Sequence, residues 1–98
     1  MSEALILEFR GVGGEEYRKV NDVLGVDMTA GTGDLPPGLL AHTAASSDDG
    51  LLVFEIWESQ EAAGQFFGPR LSAALTEAGV PDPARMQWLT LEATFVRQ

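Results

Sequence analysis

His42 is the only histidine in the chain and the one side chain whose ordinary pKa lies near neutrality, so removing a proton from a phenol or enol falls to it first. A carboxylate beside it would fix the imidazole tautomer, and Glu55 and Glu8 are the candidates. If these glutamates lie next to each other, or are buried beside tryptophan, one of their pKa values would rise into the range useful for acid–base work. Trp57 and Trp88 could wall a planar ligand or anchor a subunit interface. Met86 and Thr90 flank Trp88 at two-residue intervals and would add an apolar and a polar contact to the same surface. Each group also has a plainer reading: His42 as a structural hydrogen-bonding group, the glutamates as solvated strand residues with one paired to Arg10, and the tryptophans as interface anchors.

Composition removes several other chemistries. With no cysteine in the chain, disulfides, thiolate metal sites, iron–sulfur ligation and a cysteine nucleophile are excluded. A metal site would need His42, Glu8 and Glu55 brought together from separate strands, and a haem would find few cations for its propionates; neither a metal nor a bound cofactor is expected. A net charge of −9 with six Lys and Arg makes nucleic acid and anionic membranes poor partners, because both demand clustered cations. The start MSEALILEFRG lacks the basic flank and long apolar run of a signal peptide, and no stretch approaches membrane-spanning length, so the chain reads as cytoplasmic.

The elements that must position these residues follow from periodicity. A length of 98 residues predicts a single domain over 1–98 with a real core, one that dimerisation would usefully enlarge. Ala4–Arg10 alternates as a half-buried strand, ended by Gly11, Gly13 and Gly14. Glu15–Leu24 reads as a helix with Tyr17, Val20, Val23 and Leu24 in one apolar stripe and Gly25 as its C-cap. Val26–Gly38 is rich in Gly, Pro and Asp and reads as a long loop, either a lid or a plain connector. Strands Leu39–Ala45 and Leu51–Glu58 form a hairpin across Ser46–Gly50. Ser59 caps a second helix that Gly68-Pro69 should kink or split and Gly79 should stop, before a last strand from Arg85 to Val96. The order β-α-β-β-α-β specifies an α+β ferredoxin-like fold, with both helices on one face of a four-stranded antiparallel sheet.

Parity then distributes side chains. Taking the uniformly apolar set as helix-facing puts Leu5, Leu7, Phe9, Leu52, Phe54, Ile56, Leu89, Leu91, Ala93 and Phe95 inside. The free face receives Glu8, Glu55, Trp57, Met86, Trp88 and Thr90. His42 joins them, since the small Ala41, Thr43 and Ala45 fit under helices while a buried imidazole would need a partner. A second copy closing over that face would enclose a half-wet cavity.

The segments Ala4-Leu5-Ile6-Leu7-Glu8-Phe9, Pro37-Gly38-Leu39-Leu40-Ala41-His42-Thr43-Ala44, Val53-Phe54-Glu55-Ile56-Trp57-Glu58-Ser59 and Glu61-Ala62-Ala63-Gly64-Gln65-Phe66-Phe67 together resemble the dimeric α+β barrel superfamily. Within it they resemble the small proteins related to the antibiotic biosynthesis monooxygenase domain. The resemblance spans nearly the whole chain, with the Trp-Glu-Ser strand-to-helix join its most specific part. It implies a homodimer with pockets between each sheet and its helices or loops, in a superfamily that includes cofactor-free oxygenases of quinol-like polyketides, haem-degrading enzymes and cyclases. The Gly68-Pro69 interruption departs from the usual continuous helix, and no full catalytic set maps onto the chain.

Two functions are therefore expected. One is a cofactor-free monooxygenase- or cyclase-type enzyme on an aromatic or polyketide-like molecule, with His42 as base, Glu55 as its orienter and the tryptophans as walls. The other is a non-catalytic homodimeric binding or regulatory module whose free face serves self-association.

Overall fold

A computed structural model describes residues 2–97. Strand β1 (Glu3–Arg10) leads into helix α1 (Gly14–Leu24), a short hairpin of β2 (Val26–Asp27) and β3 (Thr32–Gly33), and the long hairpin of β4 (Leu39–Ser47) and β5 (Gly50–Trp57). Helix α2 (Gln60–Phe66) continues through a π turn, Phe67–Leu71, into α3 (Ser72–Ala78), and β6 (Arg85–Leu89) completes the sheet. Sheet order is β4-β5-β1-β6, every pair antiparallel. This is the ferredoxin-like arrangement expected from the element order, and the loop predicted over Val26–Gly38 folds back on itself as the β2–β3 hairpin.

Local chemistry explains the helices. Glu15 and Glu16 lie in the first turn of α1, where acids complement the macrodipole, and the Gly13 N–H donates to the Glu16 carboxylate at 2.7 Å. Gly25 ends α1 at φ 76°, its N–H donating to the Asn21 and Asp22 carbonyls. Ser59 caps α2 by accepting from the Ala62 N–H at 3.1 Å. At Gly68-Pro69 the helix widens rather than breaks: the Ser72 N–H reaches the Phe67 carbonyl, five residues back. A π turn of this kind absorbs the hydrogen bond that proline cannot donate, so α2 and α3 are two short helices joined through it.

The core lies between the sheet and the helices. Leu5, Leu7, Phe9, Val53 and Trp57 from the sheet meet Val20, Ala63, Phe66 and Leu75 from the helices. Trp57 is fully buried, its ring 6.0 Å from Phe66 and 5.6 Å from Phe67, and truncating such a residue to alanine costs roughly 3–5 kcal/mol.

Strand parity differs from the expectation on three of the four sheet strands. Residues paired across the ladder share a face, and Leu5 pairs with Glu55, Leu7 with Val53 and Phe9 with Leu51. The helix-facing set of β5 is thus Leu51, Val53, Glu55 and Trp57, while Leu52 and Phe54 are 41% and 37% exposed on the free face. Uniform apolarity misassigned this strand because the buried carboxylate has partners. On β6, Leu5 pairs with Trp88 and Leu7 with Met86, so both face the helices, and Gln87 and Leu89 face the other way. Arg85 sets that choice by pairing with Glu8 on the free face, guanidinium to carboxylate at 3.3 Å.

A β-bulge moves His42. Leu39 stands opposite Trp57 and Ala41 opposite Ile56, so Leu40 is an extra residue. Strict alternation from Leu39 would have put Ala41, Thr43 and Ala45 under the helices; the bulge turns His42 and Ala44 there instead, opposite Glu55 and Val53. The last strand also ends earlier than expected. The β1–β6 ladder ends where Ala4 pairs with Leu89. Thr90, Leu91, Glu92, Ala93, Thr94 and Phe95 accordingly lie off the sheet.

Candidate active site

The polar centre of the molecule is a chain of four side chains on the helix-facing side of the sheet. The Trp57 indole N–H donates to Glu55 Oε1 at 2.9 Å, and the other carboxylate oxygen lies 2.8 Å from His42 Nδ1. On the far side of the imidazole, Nε2 lies 2.6 Å from the Tyr17 hydroxyl. An indole N–H can only donate, so Glu55 serves as acceptor on both oxygens, which assigns the proton of the neutral imidazole to Nδ1 and makes Nε2 the acceptor for Tyr17 O–H. Glu55 is only 3% exposed, and a carboxylate that deep is tolerable because both oxygens are bonded. Among the described residues no buried side-chain polar atom is left without a partner.

The chain's layout produces this network. β5 supplies Glu55 and Trp57 two residues apart on one face, the β4 bulge rotates His42 beneath the helices opposite Glu55, and α1 lays Tyr17 over the imidazole. The Tyr17 and His42 rings are nearly parallel, 12° apart with centroids at 5.9 Å. Burial raises the Tyr17 pKa; a hydrogen bond from Asn21 opposes the shift and the Glu55 charge adds to it.

A cavity of about 50 Å³ opens beside this network. Tyr17, Val20, Asn21 and Leu24 of α1, Leu7 and Phe9 of β1, Val53 of β5, Phe66, Leu71 and Leu75 of the second helical segment and Met28 of the β2–β3 turn enclose it, with His42 and Glu55 in its wall. The lining is apolar apart from Glu16, Asn21 and the Tyr17–His42–Glu55 cluster, the usual make-up of a small-molecule site. Its present volume admits a few waters, so an aromatic ring enters only if the α1 or β2–β3 side gives way.

The structure gathers some of the expected residues and disperses others. His42 and Glu55 meet as expected, but under the helices and not on the free face. Glu8 lies on the opposite face of the sheet with Arg85, so it neither neighbours Glu55 nor reaches His42. Trp57 holds Glu55 from within the core and does not line the cavity. Trp88 packs at the core's edge, Met86 lines a separate surface groove with Phe67, Gly68 and Leu71, and Thr90 lies beyond the end of β6. Among the described residues no group of three or more His, Cys, Asp or Glu is placed to hold a metal ion. Sequence reasoning missed Tyr17 as a polar participant by counting it in the apolar stripe of α1; the usable signal was a hydroxyl at an inward helix position, which needs a partner.

No protein-family model matches the sequence, and no curated protein matches it significantly. Solved structures do match. A candidate antibiotic biosynthesis monooxygenase from Chloroflexus aurantiacus superposes with a TM-score of 0.63 at 15% identity, over 98% of each chain. SnoaB of Streptomyces nogalater, a cofactor-independent oxygenase, gives a TM-score of 0.63 at 13% identity over 98% of this chain and 97% of its own. The ActVA-Orf6 monooxygenase of Streptomyces coelicolor, solved with the ligand nanaomycin D, gives 0.55 at 21% identity over 99% and 92%. The chain thus has the fold of the antibiotic biosynthesis monooxygenase-like domain proteins, and at these identities the likeness speaks for the fold.

Proposed function

We propose that this chain is a cofactor-independent enzyme of the monooxygenase or cyclase type, taking a phenolic or enolic aromatic molecule into the cavity between α1 and the sheet. The observation that carries this reading is the His42–Glu55 pair, 2.8 Å apart and buried in the wall of an otherwise apolar cavity. Glu55 fixes the imidazole tautomer and balances the imidazolium that forms when a substrate proton arrives. The product of that step is an electron-rich phenolate or enolate, the species that both oxygenation and ring closure start from. The apolar walls exclude water and favour a planar, uncharged substrate. The oxygenase descriptions of two structural neighbours point the same way.

A titration of tryptophan fluorescence against a panel of quinols, flavins, haem and aromatic polyketides tests the reading, since Trp57 is hydrogen-bonded to the proposed site. Saturable quenching by a phenolic or enolic compound, lost in His42→Gln with the fold intact, is the expected result. No response across the panel would favour the non-catalytic homodimeric module, a reading supported by Leu52 and Phe54 exposed on the free sheet face. In either case that face is where a second copy would sit.

A further inference from the structure

Both nitrogens of the His42 ring are already occupied. Nδ1 is held by Glu55 and Nε2 by the Tyr17 hydroxyl, and the imidazole side chain is only 10% exposed. A molecule in the cavity that is to lose a proton to Nε2 must therefore expel Tyr17 or pass the proton through it. The hydroxyl is equipped for the second course: it donates to Nε2, and its oxygen keeps acceptor capacity for a donor in the cavity that Tyr17 lines.

We infer that Tyr17 is the catalytic residue that touches the substrate, handing its own proton to His42 as it receives one from the substrate hydroxyl. The inference rests on the proposed small-molecule reading and names the contact atom within it. In one concerted step the substrate O–H bond breaks and its proton bonds to Tyr17 Oη, while the Tyr17 O–H bond breaks and that proton bonds to His42 Nε2. The products are a substrate oxyanion, an unchanged phenol and an imidazolium facing Glu55, so charge is conserved and no oxidant is needed. Burial disfavours a free tyrosinate, so the two transfers are coupled. The relay also sets a substrate class: the hydroxyl to be deprotonated is itself a phenol or stabilised enol, acidic enough to drive the imidazole to imidazolium.

Tyr17 and His42 are the only tyrosine and the only histidine, so each can be observed without ambiguity. The titratable groups around the cavity are Glu16 and Tyr17 on α1, His42 on β4 and Glu55 on β5. The probe is 4-nitrophenol, whose visible absorbance reports its ionisation, while ¹⁵N NMR of the His42 ring reports the arriving proton. In the unmodified protein the bound phenol should ionise as the His42 signals move to the imidazolium pattern. In Tyr17→Phe, which keeps the ring, the rate at which the bound phenol ionises after a rapid pH jump should fall on the order of 100-fold or more. Ring-fluorinated tyrosine, which keeps the hydroxyl, should retain the transfer. Equal rates of ionisation in the unmodified protein and Tyr17→Phe, slowed only in His42→Gln, would overturn the relay while leaving the pocket reading standing. Absence of binding by the unmodified protein, or binding that leaves the His42 signals unmoved, would overturn both.

Discussion

Residue type made His42 the acid–base candidate with Glu55 or Glu8 beside it, and the structure brings Glu55 to the imidazole and leaves Glu8 on the opposite face with Arg85. The burial of His42 and Glu55 was not readable, since it depends on Trp57 and Tyr17 bonding groups that would otherwise be too costly to enclose. Breaking such a pair is expected to cost the protein stability. His42→Leu alone leaves the Glu55 charge buried beside an apolar group and should lose roughly 3–5 kcal/mol, whereas His42→Leu with Glu55→Met should recover only part of that loss, because the Trp57 N–H and Tyr17 hydroxyl are left without acceptors. Urea unfolding of the two variants checks this. Tyr17 gives a second prediction at the same scale. Burial keeps its hydroxyl protonated to higher pH in the folded chain than in the unfolded one, so the folded state holds more protons above the ordinary tyrosine value of about 10. Its contribution is fully present below that pH and is lost as pH rises through the raised native value. Thermal melts should show the midpoint falling in that alkaline interval, and Tyr17→Phe should remove this part of the decline.

At the scale of elements, strand order, helix ends and the splitting of the second helix at Gly68-Pro69 were legible, because alternation, caps and proline act locally. Facing was not. One extra residue at Leu40 reverses every side chain after it, and only the ladder with β5 reveals it. The end of β6 likewise shows only in its ladder with β1, which stops at the Ala4–Leu89 pair. The segment between α1 and β4 has a clearer part to play than its Gly- and Pro-rich composition showed. Met28 in the β2–β3 turn closes one side of the cavity, and Arg70, from the π turn, donates to the Leu24 and Asp34 carbonyls and to the Asp34 carboxylate. Its guanidinium also lies 5.3 Å from the centre of the Phe66 ring. Arg70→Ala should loosen this flap; a half-exposed latch contributes up to about 1 kcal/mol, so amide exchange at Gly31 and Asp34 should quicken by up to about fivefold.

For the whole molecule, the sheet has one face covered by helices and one presenting Leu52 and Phe54 beside the Glu8–Arg85 pair. Beyond β6 the chain carries Phe95 and Val96 at 78% and 67% exposure. Among the described residues no helix is long and apolar enough to cross a membrane. A second copy of the chain is the occupant proposed for the free face, and its association would work against a net charge of −9 on each copy. Association should therefore strengthen with added salt, as screening weakens that repulsion. Phe54→Asp should shift sedimentation toward the single-chain species without unfolding it.

The central claim is that ligands enter between α1 and the sheet and meet the Tyr17–His42–Glu55 network. Backbone and side-chain NMR of the labelled protein, recorded while adding the tightest-binding phenol from the fluorescence panel, tests it most directly. The account predicts the largest shifts at Tyr17, Val20, Asn21, Met28 and the His42 ring. Shifts confined to Leu52, Phe54 and their neighbours on the free face, with the His42 ring unmoved, would contradict it.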